Sequence, residues 1–289
     1  MNKKPVKTWS TPVAPEERRL IPCALCGGAS FRPGFSCEGF FYVRCARCAL
    51  VQMNPQPLRK AVAGRYRESH GGDYLAYELA NEAAFLRLQE LALGDAGFYG
   101  LEEELKKKGK PKVLDAGCAT GALLNMLRDR GWETAGVEIS PAAAYARRER
   151  NLDVKNLPLE ESRFPGGYFD LVLASHLIEH LNDPGGFVRE AYRITAPGGR
   201  FFVTTPNIAG LQARLFRSRW RSAIFDHLYL FSVKTLSRLL REQGFTPERI
   251  VTWGGLAAGI APARIKALAD RWAKRFGFGD VMLIRAVKG

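Results

Sequence analysis

Asp115-x-Gly117-x-x-x-Gly121 places an acid two residues before a pair of spaced glycines, directly after the apolar pair Val113-Leu114. Val113 and Leu114 read as the end of a buried strand, and the glycines let the backbone turn sharply into a helix. Leu123, Leu124 and Leu127 mark that helix's apolar face. A strand, a tight turn and a helix in this order form a ligand cradle, because a helix N-terminus favours a negative group. The spacing excludes two ligand classes. A dinucleotide fingerprint needs G-x-G-x-x-G and a P-loop needs a Lys followed by Ser or Thr, and the stretch has neither. Glu138 ends the next apolar run, Thr134 to Val137, about 20 residues beyond Gly117, where doubly wound folds hold ribose hydroxyls with a carboxylate.

A second constellation is Cys23-x-x-Cys26 and Cys45-x-x-Cys48, separated by 18 residues. This spacing suits a four-thiolate zinc ribbon, with Gly27 freeing the backbone just after the second thiolate. Buried free thiols are the alternative reading. A closed four-cysteine site leaves no open coordination position, so its metal, Zn2+, would fold the module and take no part in catalysis. Cys37 is left over. A third constellation is Ser175-His176-Leu177-Ile178-Glu179-His180, which matches the H-x-x-E-H string of zinc peptidases. That reading fails because the peptidase needs a long helix around the motif, whereas this one begins at a strand end and is soon followed by Asn182-Asp183-Pro184.

These residues need elements to hold them. Tyr168 to Ala174 is almost continuously apolar and reads as a strand buried on both faces. Pro141 can start a helix, with Ser140 as its N-cap. Pro33-Gly34 suits the turn of a short hairpin between the cysteine pairs, and Asn54-Pro55-Gln56-Pro57 reads as a stiff linker. Leu75, Leu79, Ala83, Leu86 and Leu93 fit one amphipathic helix from Tyr74 to about Phe98. Near the C-terminus, residues 263–276 carry Ile265, Leu268, Trp272 and Phe276 on one side of a basic helix, which is expected to dock on the core. Val281 to Val287 reads as a last strand.

Asp115-x-Gly117-x-x-x-Gly121 resembles motif I of the class I S-adenosylmethionine (SAM) dependent methyltransferases, with Ala119 where many members carry a glycine. Glu138-Ile139-Ser140-Pro141, Phe169-Asp170 and Ala196-Pro197-Gly198-Gly199-Arg200 followed by Phe201 to Asn207 resemble the family's later signatures, in the right order. The cysteine ribbon, the Asn-Pro-x-Pro segment and this core together resemble bacterial methyltransferases with an N-terminal zinc-binding segment, over about residues 20–250. The resemblance implies an α/β fold with a doubly wound, mostly parallel, seven-stranded Rossmann-like sheet. It implies SAM as cosubstrate and S-adenosylhomocysteine as product. Carried over by position, the cofactor contacts are Asp115, Gly117, Cys118, Ala119, Gly121, Glu138, Ile139, Leu159, Glu160, Ser175 and His176. Tyr66 and Tyr74 fall where relatives close over the methyl group, with packing the other reading. His227 matches a recurring family histidine. His176 and His227 are the candidate bases, since imidazole titrates near neutral pH. Glu179 and His180 are expected to be structural.

The expected organisation is a flexible tail (1–20), a zinc ribbon (21–57), a linker and helical cap (58–110) and the SAM-binding core with a basic acceptor-side segment (111–289). A polar, basic start with no apolar run and no span-length segment points to the cytoplasm. The formal net charge of +14 is unevenly spread. Residues 1–65 carry 11 Lys/Arg against 3 acids and residues 208–289 carry 15 against 5, leaving the middle net negative. Positive flanks around the core imply a small anionic acceptor, methylated on oxygen or carbon, such as a metabolite or glycan precursor. Two alternatives stand beside it. One is an RNA methyltransferase gripping phosphates with ribbon and basic C-terminus. The other is a non-catalytic zinc-containing adaptor, against which the intact Asp115, Gly117, Gly121 and Glu138 argue. Arg214, Arg217, Arg219 and Arg221, interleaved with Leu215, Phe216 and Trp220, leave peripheral membrane contact open as well. Oligomeric state is not legible.

Overall fold

Apolar runs that alternate between two faces build the centre of the molecule. The computed structural model describes residues 17–37, 39–67, 71–255 and 262–289. In chain order it begins with β1 (Arg18–Arg19), β2 (Phe31–Cys37), β3 (Phe40–Cys45), β4 (Val51–Met53) and β5 (Gln56–Pro57). Three helices follow, α1 (Arg59–Arg67), α2 (Gly71–Asp95) and α3 (Phe98–Lys106). Next come β6 (Lys112–Ala116), α4 (Ala122–Asp129), β7 (Glu133–Val137), α5 (Ala142–Arg150), β8 (Val154–Lys155), β9 (Phe169–Ser175), α6 (Pro184–Ile194) and β10 (Thr195–Pro206). The last third holds α7 (Leu211–Phe216), β11 (Tyr229–Leu230), α8 (Val233–Glu242), β12 (Phe245–Trp253), α9 (Ala263–Phe276) and β13 (Val281–Lys288).

Seven strands form one sheet in the order β12-β13-β10-β9-β6-β7-β8. β10, β9, β6, β7 and β8 pair in parallel, and β13 is antiparallel to both its neighbours. This is the doubly wound, mostly parallel Rossmann-like sheet expected from the resemblance. Strand alternation feeds two cores. Leu114, Val172, Val203 and Ile284 face one apolar cluster, while Val113, Leu171, Phe202 and Leu283 face the other. Burying each such side chain contributes about 1.5–3 kcal/mol. No helix among the described residues is long and apolar enough to cross a membrane.

Several local expectations are corrected. The helix expected over 74–98 is α2, which ends at Asp95, because Gly97 adopts φ +77° and a separate helix, α3, starts after it. Pro33-Gly34 lies inside β2 at a register shift opposite β3, so it is a bulge and not a turn. A side chain at Gly34 would collide with the Tyr42 carbonyl 2.5 Å away. Gln56 and Pro57 are no linker, since they are buried and pair with β1, which also pins residues 18–19 of the expected tail. The remainder of that tail, 1–16, lies outside the described residues. Residues 196–200, which resemble the family's turn ahead of its fifth strand, are absorbed into β10 as an irregularity, with Gly198 at φ +70°. α9 docks on β12 as expected, with Ala273 buried and its carbonyl accepting from Thr252 Oγ1, but its apolar side is not the docked one: Trp272 is 60% accessible and Ile265 55%.

Four strands make a second sheet, in the order β11-β4-β3-β2, so the cysteine-bearing hairpin is joined to a segment nearly two hundred residues away. Tyr42 donates from its hydroxyl to the carbonyls of Ile224 and His227, both at 2.6 Å. Met53 N donates to Leu228 O. On the other flank, buried Glu102 of α3 accepts from Arg130 and from Trp132 Nε1 (2.8 Å). Burial alone would raise its pKa, but these donors and Lys106 hold the carboxylate below its ordinary range. Glu102→Ala leaves the buried indole N–H unpaired and is expected to cost about 2 kcal/mol of unfolding free energy in urea titration. A cost under a few tenths would show that this contact does not anchor α3.

Candidate functional site

The C-terminal ends of the parallel strands bring the motif residues together. β6 and β7 lie side by side, with Asp115 opposite Gly136 and Ala116 opposite Val137. The turn after β6 uses three consecutive constraints. Gly117 (φ +74°) and Gly121 (φ +76°) take left-handed conformations, and so does Ala119 (φ +46°), at the position where the family has its middle glycine. A side chain at Gly117 would meet Leu177 at 3.3 Å, so the loop after β9 closes directly on the turn. Cys118 points away from the turn, into the cluster with Leu124, Ala143 and Leu152, which leaves its backbone to the site.

Glu138 is buried and held by two amides, Ala119 N (3.0 Å) and Ser140 N (2.7 Å). Asn156 donates to its carbonyl at 2.7 Å, fixing the strand tip from the other side. The helix expected to start at Pro141 starts one residue later, at Ala142, so Pro141 and not Ser140 takes the N-cap position, although Ser140 Oγ accepts from Ala142 N. Ile139 is half-buried beside it. Asp115 is buried, and desolvation together with the charge of Glu138 pushes its carboxyl up to about 8. Leu159 is buried in the loop after β8, but Glu160 is exposed and lines a groove against α6 with Arg189 and Arg193.

α2 covers this end with Tyr74, expected there, and with two acids that the sequence analysis did not single out, Glu78 and Glu82. Glu82 accepts from Thr120 Oγ1 and pairs with Arg150, both at 2.5 Å. Burial, then repulsion from Glu138 and Glu82, raises Glu78 to about 7. Tyr74 is pushed up by burial and by the same Glu138 and Glu78, so the helix brings both residues within electrostatic reach of the strand tip. The Tyr74, Glu78, Glu82 spacing of four was readable as one helical face.

Beyond β9, Ser175 is half-buried and His176 stands at the strand tip in the left-handed region, φ +52°, with its N–H on Thr204 O. His176 Nδ1 lies 3.4 Å from Glu179 Oε1 at ion-pair distance, and its side chain is 50% exposed. Glu179 is fully buried, accepting from Thr205 Oγ1 at 2.9 Å. Burial would raise its pKa, yet His176, His180 and His227 around it bring it down to about 2. His180 Nδ1 contacts Asp226 O (3.0 Å) and the Tyr66 hydroxyl (3.2 Å), and Tyr66 meets Tyr74 edge-on. His227 is buried against His180, with Nδ1 on Ser222 O at 2.8 Å. Burial, then the charge of His180, lowers it to about 3, so it is a neutral hydrogen-bonding group. The structure thus separates the two candidate bases: His176 is reachable and backed by a carboxylate, His227 is not reachable. Glu179, expected to be only structural, is the residue that joins them.

In the ribbon, Cys23 Sγ lies 3.4 Å from Cys48 Sγ and Cys26 Sγ 3.5 Å from Cys45 Sγ, with all four sulfurs within 4.8 Å of one another. Tetrahedral Zn–S bonds of about 2.3 Å separate sulfurs by about 3.8 Å, so the set fits a tetrahedral thiophilic ion. Gly27 (φ +68°) and Ala49 (φ +67°) each follow the second cysteine of a pair and make matching knuckles. Cys37 donates to Ala223 O at 2.8 Å and stands apart from the four.

Comparison with known proteins follows the same lines. A family model described as a methyltransferase domain matches residues 86–250. The chain is 30% identical to tocopherol O-methyltransferase of Arabidopsis thaliana over 75% of its own length and 72% of that protein. It is 26% identical to a ubiquinone biosynthesis O-methyltransferase of Acinetobacter baylyi over 54% of its length and 64% of that protein. A solved SAM-dependent methyltransferase from Archaeoglobus fulgidus shares the fold at TM-score 0.52 and 21% identity, covering 73% of this chain and 99% of that one.

The raised Asp115 has a consequence for pH. Its folded value of about 8 stands above its ordinary 3.8, so the folded chain keeps a proton that the unfolded chain releases. The associated stability is full below about pH 4 and is lost as pH rises through about 8. Thermal unfolding of ligand-free Asp115→Asn is expected to lose less stability than the parent across that window. Parallel profiles would rule out a shifted Asp115.

Proposed function

The chain belongs to the methyltransferase domain family and is a SAM-dependent methyltransferase, and from that premise we propose that it methylates a hydroxyl oxygen of a small organic acceptor, with His176 taking the proton. The observation that carries this reading is the pairing of a half-exposed His176 with the fully buried, ionised Glu179 at a strand tip beside the motif I turn. The two relatives named as O-methyltransferases support oxygen as the acceptor atom.

SAM supplies an activated methyl group on a sulfonium. Asp115, Glu138 and the turn from Gly117 to Gly121 would hold it, and the close approach of Leu177 to Gly117 gives that cradle its wall. Tyr66 and Tyr74 meet edge-on beside it, where aromatic faces stabilise a cation. Positioning carries most of the rate, because acceptor and methyl donor need only be held in line. His176 Nδ1 faces Glu179, leaving Nε2 to accept the acceptor's proton; Glu179 fixes the ring and stabilises the imidazolium that forms. Thr205 holds Glu179 in turn. Glu179 and Thr205 are positioning residues, and His176 is the catalytic one.

Zn2+ in the four-cysteine ribbon is part of the same reading. It would be structural, because all four positions are filled by sulfur and the ribbon is bonded through Tyr42 and Met53 to the segment that holds His227.

For His176→Ala, SAM affinity by calorimetry is expected to stay within about threefold, while release of S-adenosylhomocysteine across a panel of phenolic and phosphorylated hydroxyl acceptors falls by about a hundredfold or more. Undiminished turnover would remove His176 from the chemistry. Glu138→Ala should abolish SAM binding, and retained affinity would overturn the ribose role. Metal analysis should find one zinc per chain in the parent and none in Cys23→Ser/Cys48→Ser, whose unfolding temperature drops. A metal-free, equally stable parent would leave the cysteines as packed thiols.

A further inference from the structure

Two surface grooves differ sharply in charge. The one against α6 mixes Arg189, Arg193 and Lys288 with Glu160 and Glu190, and Arg193 already bonds Glu190 at 2.7 Å. The other, of about 800 Å³, lies between the cysteine ribbon, the start of α8 and the loops beside β10 and β13. Arg44 enters it from the ribbon, Arg214 from α7, and Lys234 and Arg241 from α8, and among the described residues no Asp or Glu lines it. Among the described residues none of these four cations makes an ion pair. Ser237, only 4% exposed, also lines the groove, and its hydroxyl has no hydrogen-bond partner.

We infer that this groove binds the phosphoryl group of an organic phosphate. Four cations converging without a counter-carboxylate repel one another, and a cleft walled by protein focuses their field onto whatever enters. A compact oxyanion carrying two or more charges offsets that repulsion. Guanidinium forks match phosphoryl oxygens bidentately, and here three of the four groups are arginines. The first turn of α8 adds to the field. Ser232 caps it by accepting from Thr235 N, which leaves the Val233 and Lys234 amides without intrahelical partners. Ile208, Val233, Ile250 and Phe278 make up much of the remaining lining, so an organic portion has apolar surface beside the phosphate. The charge is concentrated in one pocket and does not track along a stripe, which fits a single phosphoryl or diphosphoryl group and not a nucleic acid backbone. Arg214 is already placed across the Phe278 ring, 5.2 Å from its centroid. The groove borders the C-terminal end of β10, since Ile208 and Ala209 directly follow that strand, whose Thr204 receives the His176 N–H. The inference stands apart from which atom is methylated.

The test is calorimetric titration of the full, zinc-loaded chain with inorganic pyrophosphate at about 0.15 M salt, where screening beyond about 8 Å removes diffuse charge effects. A parallel arm measures cosedimentation with phosphatidylcholine vesicles with and without phosphatidic acid. Both arms compare the parent with Arg44→Ala/Arg241→Ala and with Arg189→Ala in the other groove. Pyrophosphate binding that weakens roughly tenfold or more in the double variant only supports the groove as a site for soluble phosphates. Binding of phosphatidic acid vesicles alone, lost in the same variant, supports it with a lipid as the source. Binding of neither probe, or equal weakening by Arg189→Ala, overturns it. SAM affinity and unfolding temperature, unchanged in the double variant, separate loss of the groove from loss of fold or of the methyltransferase site.

Discussion

Glu179 is the buried charge that the acceptor end of this protein is built around. A carboxylate with no solvent contact is costly unless donors and opposite charge surround it. Here Thr205 donates from β10, His176 stands at the tip of β9, and His180 and His227 close the remaining sides. The partners come from three places in the chain, so the charge is surrounded only when the sheet, the loop after β9 and the segment before β11 are all in register. The backbone joins in, since Leu228 N donates to Glu179 O at 2.7 Å and Tyr42 fixes His227 through its carbonyl. The cysteine ribbon is thereby a structural wall of the site. Folding the ribbon positions Tyr42, and Tyr42 positions the histidine that faces the carboxylate.

Charge is divided along the sheet in a way that suits the two reactants. Asp115, Glu138, Glu78 and Glu82 gather at the β6–β7 end, where burial first and their mutual repulsion second raise Asp115 and Glu78. A site that pushes carboxyl groups upward is one that gains from a cation, and a sulfonium and an ammonium are what SAM brings. On the flank formed by α7, α8 and the ribbon the excess is positive; Arg238 pairs with Glu242 there, while Arg44, Arg214, Lys234 and Arg241 make no ion pair among the described residues. The uneven distribution of +14 over the chain thus becomes two fields of opposite sign at the same end of one sheet.

The turn after β6 and the acid at the tip of β7 were legible because their signals are local. A strand, two glycines and an acid at fixed offsets lie within a few residues, and Glu138 needs only a count to the next strand end. The cysteine pairs were legible for the same reason. What escaped depends on partners far along the chain. Pro33-Gly34 carries a turn's composition but sits opposite Tyr42 as a bulge, and Asn54-Pro57 reads as a linker until its pairing with residues 18–19 is known. Glu179 looked structural since none of its partners except His176 and His180 is near in sequence. On α9 the spacing of Ile265, Leu268, Trp272 and Phe276 established that the helix has an apolar side, and periodicity is silent on what that side faces.

Two strained residues at the site show how sequence and function trade against each other. Ala119 and His176 both hold positive φ without being glycine, at a cost of order 1–2 kcal/mol each. For His176 the side chain explains the strain, because a glycine there would free the backbone and remove the imidazole. Ala119 brings no such chemistry, and its contribution is the N–H that binds Glu138 at 3.0 Å, which any residue supplies. Its methyl group narrows the unfolded chain's choices and so recovers part of the strain that a glycine would avoid. In the reading proposed above, the strain at His176 is tied to the proton transfer, while that at Ala119 is tied only to how the turn is made. That reading puts the chemistry at the end of β9 and the holding of the nucleotide at the end of β6.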